Sequence, residues 1–269
     1  MGFKTEDMKK LLLISLLLCT LTPLRAQEDS VLVVQRHKNP YYQPKQLIAP
    51  AVLIAVGSLG LVEKSPVDLV AQKAFKDMNP NGNTTSVDEY LQYVPSVVEP
   101  FLGFIPGVKA KHPFWDRVIA SATAHALMAA LTNTVKYTVR ERRPDSDARN
   151  SFFSGHTATA FTGAELTRIE YGWGYGAVAY AAATSVAFMR VYNKRHWVGD
   201  VIAGAGAGIL CANAGYWMLP VWKRWFGKKN ATETTLLEER PQPSHPIIVA
   251  APFYDGEYRA AGIACNIVF

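Results

Sequence analysis

The chain has 269 residues, of which 49% are apolar and 19% are charged, and its formal net charge is +6. This apolar content excludes wholesale disorder, and three scattered cysteines exclude a disulfide scaffold or a cysteine-based zinc site. The positive balance favours anionic partners such as phosphates, acidic lipid headgroups or nucleic acid.

The amino terminus has the pattern of an export signal. Lys9 and Lys10 give a basic start, an apolar run from Leu11 to Leu18 follows, and polar residues begin after Ala26. We expect a signal peptide over residues 1–26 and a polar, proline-containing linker over residues 27–44. The alternative is an uncleaved membrane anchor, and either one directs the chain into the export pathway.

Apolar segments after the linker predict an all-α fold of about six helices in a domain over residues 45–225. Ser86 to Glu89 matches a capping box, which predicts a helix start. Gly204, Gly206 and Gly208 permit close helix contact. Most segments are shorter than the ~20 residues of a perpendicular membrane span, so membrane helices and buried bundle helices both remain open. The six segments are Leu47–Val62, Tyr93–Val108, Val118–Val135, Ser154–Ile169, Trp173–Met189 and Val201–Val221.

The last part of the chain, residues 226–269, differs in character from the helical domain. A polar linker comes first, and then Ile247–Tyr254 and Glu257–Phe269 flank the dipeptide Asp255-Gly256. This dipeptide is typical of a two-residue hairpin turn. A single hairpin does not close a barrel, so we expect a small C-terminal β-hairpin appended to the helices.

Three short polar segments, called islands below, lie at the ends of predicted helices. The first contains His196 and Asp200 at a helix start. Residues four apart share a helix face, so the carboxylate can accept a proton from one imidazole nitrogen and fix its tautomer. The other nitrogen is then free to act as a nucleophile. The alternative for this pair alone is an ordinary surface interaction at a helix start.

A second island is the tripeptide Ser154-Gly155-His156. Ser154 stands where an N-cap belongs, and the free N–H groups of the helix start favour an anion. Gly155 allows close approach of the backbone, and His156 could give a proton to a leaving group. The alternative is a plain N-cap beside a solvated histidine.

A third island supplies positive charge through Lys136 and Arg143, with Pro144 ending any continuing helix. Alone it could be a solvated basic loop. Together with Arg190 and the two histidines, it makes a cage for a tetrahedral oxyanion, because arginine forks bind phosphate oxygens two at a time. The sequence offers no carboxylate cluster for a metal, so the cage itself must supply the electrophile.

The three islands in order resemble the signature of the type 2 phosphatidic acid phosphatase (PAP2) superfamily. That signature is Lys-x6-Arg-Pro, then Pro-Ser-Gly-His, then Ser-Arg-x5-His-x3-Asp. Two positions depart from it, since Phe153 replaces the proline and Met189 replaces the first serine. The residues that fit are Lys136, Arg143, Pro144, Ser154, Gly155, His156, Arg190, His196 and Asp200.

The resemblance implies a six-helix bundle of the PAP2 and haloperoxidase type and a phosphatase that needs neither metal nor other cofactor. It implies that His196 is the nucleophile and forms a phosphohistidine, and that Asp200 orients it. His156 then protonates the leaving oxygen and activates water. The phosphate-binding groups implied are Lys136, Arg143, Ser154, Gly155 and Arg190.

The expected substrate is a lipid phosphate of the lipid A, undecaprenyl pyrophosphate or phosphatidyl phosphate class, with no nucleic-acid partner. We expect the protein in the bacterial envelope, associated with the inner membrane and with its cage facing the periplasm. That orientation requires at least one early segment not to span, and Tyr93–Val108 is the weakest. The alternatives are a secreted soluble acid phosphatase and a non-enzymatic membrane protein or transporter. Oligomeric state has no signal in the sequence.

Overall fold

The computed structural model describes residues 39–61, 66–81, 83–226, 247–255 and 260–268. The predicted signal peptide and residues 27–38 of the predicted linker lie outside these ranges. The chain divides into two compact units, one ending at Val221 and the other beginning at Trp222.

Eight α-helices occur in the described residues, where the sequence predicted six. One extra helix, α2, lies in a stretch too polar to register as an apolar segment. The other arises because the chain from residue 87 to residue 102 forms two short helices rather than one. The bounds are α1 Ile48–Ser58, α2 Pro66–Met78, α3 Val87–Leu91, α4 Val94–Leu102, α5 Phe114–Val139, α6 Gly155–Tyr171, α7 Trp173–Tyr192 and α8 Val198–Phe226.

The start of α3 lies at Val87, directly after Ser86, as predicted. Ser86 makes no side-chain cap hydrogen bond, however, so the predicted capping box is wrong. The following α4 has only nine residues and carries Pro95 in its first turn and Pro100 inside. It is too short to cross a membrane, in agreement with the weakness of the Tyr93–Val108 segment.

Three helical segments of the described chain are long and apolar enough to cross a membrane. They are Pro44–Leu61, Phe114–Val139 and Val198–Phe226. The first includes a 3-10 turn on each side of α1. Large apolar side chains are exposed along these segments, among them Ile48, Leu59 and Trp115 at 63%, 65% and 70%.

Glycines on α8 bring the other helices close, as the sequence predicted. A Cβ atom on Gly204 would lie 2.7 Å from the backbone oxygen of Ser154, and one on Gly206 would lie 2.8 Å from that of Pro50. Larger side chains would separate α8 from the start of α6 and from α1. The first turns of α6 and α8 therefore lie side by side.

Consecutive long helices run in opposite directions, so their ends collect at two ends of the bundle. At one end, Arg117 of α5 donates to the Tyr171 hydroxyl of α6 at 2.5 Å, and Tyr216 of α8 donates to Glu170 at 2.8 Å. The last turns of α5 and α7 and the first turns of α6 and α8 lie at the other end. All three polar islands lie at this second end.

The second unit contains two antiparallel strands, β1 Ile247–Asp255 and β2 Ala260–Val268. Their register pairs Ile247 with Val268 and Asp255 with Ala260. Because Asp255 is itself a paired strand residue, the predicted two-residue turn at Asp255-Gly256 is wrong.

Candidate active site

The His196–Asp200 pair lies at the start of α8. The Nδ1 of His196 is 3.1 Å from the Asp200 Oδ2, and the two residues are only 2% and 1% exposed. The same oxygen accepts from the Trp197 backbone N–H at 3.0 Å and from the Ser151 hydroxyl at 2.5 Å. Three donors therefore fix the carboxylate, and the Nε2 of His196 is the nitrogen left to react.

Ser151 is a contact that the sequence analysis missed. Its backbone N–H donates to the Glu141 carbonyl oxygen at 3.0 Å, which fixes the loop that carries it. Its hydroxyl also lies 3.4 Å from the His196 Nδ1. Nothing in the spacing or composition around Ser151 indicates this role, because the contact joins residues that are far apart in the chain.

The Ser154-Gly155-His156 tripeptide begins α6, as predicted. The Ser154 Oγ accepts from the Thr157 N–H at 3.5 Å and from the Thr157 hydroxyl at 3.1 Å, so its own O–H remains available to donate. A Cβ atom on Gly155 would meet only the Thr132 Cγ2, at an ordinary 3.5 Å. Close packing therefore does not explain the glycine at this position. Close approach of a ligand to the backbone would explain it.

Arg190 is held by an acidic residue outside the motifs. Its Nη1 donates to the Asp88 Oδ2 at 2.6 Å, and the two residues are 5% and 0% exposed. Asn193 supports the other carboxylate oxygen at 3.3 Å. The Arg190 Nε is buried without a partner among the described residues, and a buried donor of this kind is costly unless an anion accepts from it.

Lys136 and Arg143 meet because α5 ends abruptly. Arg140 adopts a left-handed conformation with φ of 52°, which turns the chain back after the last helical turn. The Lys136 ammonium then donates to the Asn150 backbone oxygen, and the Arg143 Nε donates to the Asn150 side-chain oxygen at 2.8 Å. Asn150, which the sequence analysis missed, therefore links the two cations.

The 141–150 loop is tied to the chain that precedes α8. The Trp197 indole donates to the Arg142 backbone oxygen at 2.8 Å, and Arg195 pairs with Asp145 at 3.3 Å. These contacts hold the loop carrying Arg143 against the residues on either side of His196. No group of three or more histidine, cysteine or acidic side chains able to hold a metal occurs in the part of the chain that the structure describes.

The two histidines lie in a positive, dehydrated environment. Burial, together with the positive charges of Arg190 and Arg143, lowers the pKa of His156 to about 4. Burial also lowers the pKa of His196, although the hydrogen bond to Asp200 acts in the opposite direction. At neutral pH both imidazoles are therefore neutral in the free protein, which is the form of His196 that the predicted nucleophilic role requires.

All eight predicted site residues therefore occupy the same end of the bundle. Electrostatic interactions link His156 with Arg190, Arg143 and His196. The backbone N–H of Ser154 donates to the Asp200 backbone oxygen at 3.1 Å, which joins the second island to the third.

A family model and a curated protein match part of the chain. Residues 117–224 match the model of the PAP2 superfamily. The lipid A 1-phosphatase of Porphyromonas gingivalis is 40% identical over 140 residues, which are 50% of this chain and 31% of that protein. The chain therefore spans about a third of the length of this curated relative.

Two solved structures also align with the chain. The crystal structure of Aquifex aeolicus LpxE has a TM-score of 0.42 at 22% identity, covering 57% of this chain and 97% of that one. A transmembrane PAP2 type phosphatidylglycerolphosphate phosphatase from Bacillus subtilis has a TM-score of 0.37 at 15% identity, covering 84% and 100%. The family match confirms the resemblance predicted from the three motifs, because residues 117–224, which contain all three, match the model of the PAP2 superfamily.

Proposed function

We propose that this protein is a phosphatase that cleaves lipid phosphates through a phosphohistidine intermediate, without a metal. The observation that carries the proposal is the buried His196–Asp200 pair beside a buried arginine, Arg190, whose Nε lacks a partner among the described residues. A neutral imidazole held by a carboxylate suits attack on phosphorus, and the unpaired N–H suits a phosphate oxygen.

In the first step, the Nε2 of His196 attacks phosphorus while the bond from phosphorus to the ester oxygen breaks. His156 gives its proton to that oxygen. The low pKa of His156 means that this proton arrives with the substrate, either from a phosphate monoanion or because a bound dianion raises the pKa. Lys136, Arg143 and Arg190 stabilise the charge on the transferring oxygens.

In the second step, His156 accepts a proton from water, and the resulting hydroxide attacks the phosphohistidine. The bond between nitrogen and phosphorus breaks, inorganic phosphate leaves, and His196 returns to its neutral form. The charge on Asp200 stabilises the imidazolium that exists between the two steps, as the carboxylate does in other acid–histidine pairs.

The lipid character of the substrate is supported by the exposed apolar surface of the helices and by their three candidate membrane segments. The lipid A 1-phosphatase relative favours a lipid A type substrate, and undecaprenyl pyrophosphate and phosphatidyl phosphates belong to the same chemical class. We place the protein in the bacterial inner membrane with its site toward the periplasm and residues 45–225 as the catalytic domain. This orientation requires the start of α1, which lies at the end of the bundle opposite the site, to be on the cytoplasmic side.

The test is phosphate release by the full chain, purified in detergent, from a panel of lipid phosphates and from glycerol phosphate. Wild type should prefer the lipids, resist a metal chelator and be inhibited by vanadate. His196→Ala should be inactive, and the wild type should yield an acid-labile phosphoprotein that this variant lacks. Glu89→Gln, an exposed substitution on α3, is the control.

Equal efficiency on glycerol phosphate and a long-chain lipid phosphate would favour the secreted acid phosphatase instead. Full activity of His196→Ala would overturn the mechanism. Absence of any phosphate release by folded wild-type protein would favour a membrane protein of another class.

A further inference from the structure

A cavity of about 500 Å³ opens between the last turns of α5 and the end of the 141–150 loop. It adjoins the cage, because Lys136 and Asn150 form part of its wall. Lys136 donates to the Asn150 backbone oxygen, and the Asn150 side chain accepts from Arg143. A molecule in this cavity therefore meets the residues that link two cations of the cage.

The cavity carries positive charge that has no acidic neighbour in its wall. Arg140 and Arg149 line it together with Lys136, and none of the described residues that line it is acidic. Both arginines are exposed, and within the described ranges neither guanidinium makes a hydrogen bond or an ion pair. The neighbouring Arg142, by contrast, pairs with Asp147. Arg140 and Arg149 are therefore free to bind an anion.

The walls of the cavity suit a small hydrophilic anion and not an acyl chain. Asn133 and Asn150 contribute amides, and Tyr137 contributes a phenol; no aliphatic side chain of the described chain lines the cavity. Because the Asn150 side-chain oxygen accepts from Arg143, its amide N–H groups are left to donate elsewhere. Guanidinium and amide donors bind the oxygens of an oxyanion, whereas lipid tails need apolar walls.

The proposed reaction produces a small anion next to this cavity. Inorganic phosphate is formed in the cage among Lys136, Arg143 and Arg190, and it must leave before another lipid binds. Lys136 belongs both to the cage and to the cavity wall. Phosphate that moves from one to the other therefore exchanges Arg143 and Arg190 for Arg140 and Arg149 while it remains beside Lys136.

We infer that this cavity binds inorganic phosphate on its way out of the cage, with Arg140 and Arg149 as its main ligands. This inference rests on the proposed function and adds to it a second anion site at which no reaction occurs. Phosphate from solution then also fills the cavity while an ester or the phosphohistidine occupies the cage, and it blocks the departure of the product.

Product inhibition distinguishes one phosphate site from two. Phosphate that binds only in the cage excludes the ester, so it raises KM and leaves kcat unchanged. Phosphate in the cavity also lowers kcat, because it binds while the cage is occupied. The assay uses the full chain in micelles of a neutral detergent, a lipid with a radiolabelled phosphate, and added unlabelled phosphate. Wild type should show both effects.

The variant Arg140→Asn/Arg149→Gln removes both guanidinium groups, and asparagine tolerates the left-handed conformation at position 140. The phosphate concentration that halves kcat should rise about tenfold, as expected for the loss of one or two charge-assisted contacts. The concentration that doubles KM should change less than about twofold, because the cage is intact. Lys45→Gln/Lys109→Gln removes the same charge from exposed positions near the opposite end of the bundle and should alter neither value.

An effect of phosphate on KM alone in wild type would overturn the inference, and so would equal changes of both concentrations, or no change, in the double variant. If the variant responds normally to phosphate but differently to an added anionic lipid, the cavity binds a lipid headgroup and the inference is again wrong. If the double variant does not fold, Arg149→Gln alone must raise the concentration that halves kcat at least about threefold. Failure of the proposed function is distinct, because folded wild type would then release no labelled phosphate from any lipid.

Discussion

The reactivity of His196 depends on a single carboxylate oxygen with three donors. The Asp200 Oδ2 holds the His196 ring, and it is itself held by Trp197 and Ser151. A buried carboxylate with three hydrogen bonds stays ionised and in place. The orientation of His196, the proposed nucleophile, therefore depends partly on Ser151, a loop serine outside the three motifs.

Replacing this serine should weaken catalysis without removing it. Ser151→Ala deletes one of the three donors to Asp200, so we expect kcat to fall about tenfold, with a smaller change in KM. With one hydrogen bond fewer, the Asp200 carboxylate stabilises protonated His196 more strongly, which raises the pKa of His196. The acid limb of the kcat/KM profile should therefore also move to higher pH. An unchanged profile at full kcat would show that Ser151 has no positioning role.

The pH dependence of the wild type follows from the lowered pKa of His196. A histidine with a pKa below 6.5 keeps its nucleophilic, neutral form in mild acid. We expect kcat/KM, corrected for the ionisation of the substrate, to fall with a midpoint below the pH of about 6.5 at which a free imidazole titrates. A decline centred at or above pH 6.5 would contradict this environment for His196.

Two short polar helices, α2 and α3, position acidic side chains at the site. The five residues of α3 carry Asp88 to the buried guanidinium of Arg190, and α2 carries Asp68 to the start of α8. Neither helix contains a long apolar run, yet each fixes part of the site. The long helices provide the scaffold, and the short ones determine how its charged side chains are held.

Asp88 should therefore behave as a positioning residue for Arg190. Asp88→Asn keeps the side-chain shape but removes the charge from a buried ion pair, and disturbing such pairs is costly. We expect kcat/KM to fall about 10- to 100-fold, with vanadate inhibition weakened in parallel. The exposed neighbour Glu89→Gln should change neither value. Loss of thermal stability with normal vanadate affinity would indicate a purely structural role.

The far end of α4 carries a buried acid with a different role. Glu99 is fully buried, and its two carboxyl oxygens have no partner among the described residues. Burial raises its pKa to about 8, with Glu170 adding to the effect and Arg117 opposing it. The folded state thus keeps a proton that the unfolded chain loses above about pH 4.5, so its stability falls as pH rises through that window.

Glu99→Gln should remove this dependence. The variant is expected to be more stable than wild type at pH 8, by as much as a few kcal/mol, and to differ little at pH 4.5. Thermal unfolding in detergent at several pH values measures the difference. The quantity to compare is the stability of Glu99→Gln minus that of wild type. If this difference is smaller at pH 8 than at pH 4.5, Glu99 is not protonated in the folded protein.

For the molecule as a whole, the three motifs predicted the site because each carries its chemistry at a local spacing. His196 and Asp200 meet within one helical turn, and Ser154 precedes its own helix. Asp88 and Arg190, by contrast, are 102 residues apart in the sequence, and no local pattern predicts their contact. The helix count failed for a related reason, since short amphipathic helices form through packing and not through long apolar runs.

Orientation in the membrane is a property of the whole chain and has a direct test. Ser146 lies in the exposed 141–150 loop at the site, and Lys109 is exposed near the opposite end of the bundle. With Cys211 and Cys265 replaced, a cysteine at 146 should react with an impermeant thiol reagent applied to cells with a permeabilised outer membrane. A cysteine at 109 should react only after the inner membrane is breached. The reverse pattern would place the site in the cytoplasm.

The unpaired Nε of Arg190 and the two cations joined through Asn150 affect how each cycle ends. In the proposed reaction these groups bind oxygens that an ester and free phosphate have in common, so we expect them to hold the product as firmly as the reacting group. Cleavage removes only the lipid. On the proposed mechanism, we expect the departure of inorganic phosphate to limit turnover, so that free phosphate competes with the lipid for the empty site.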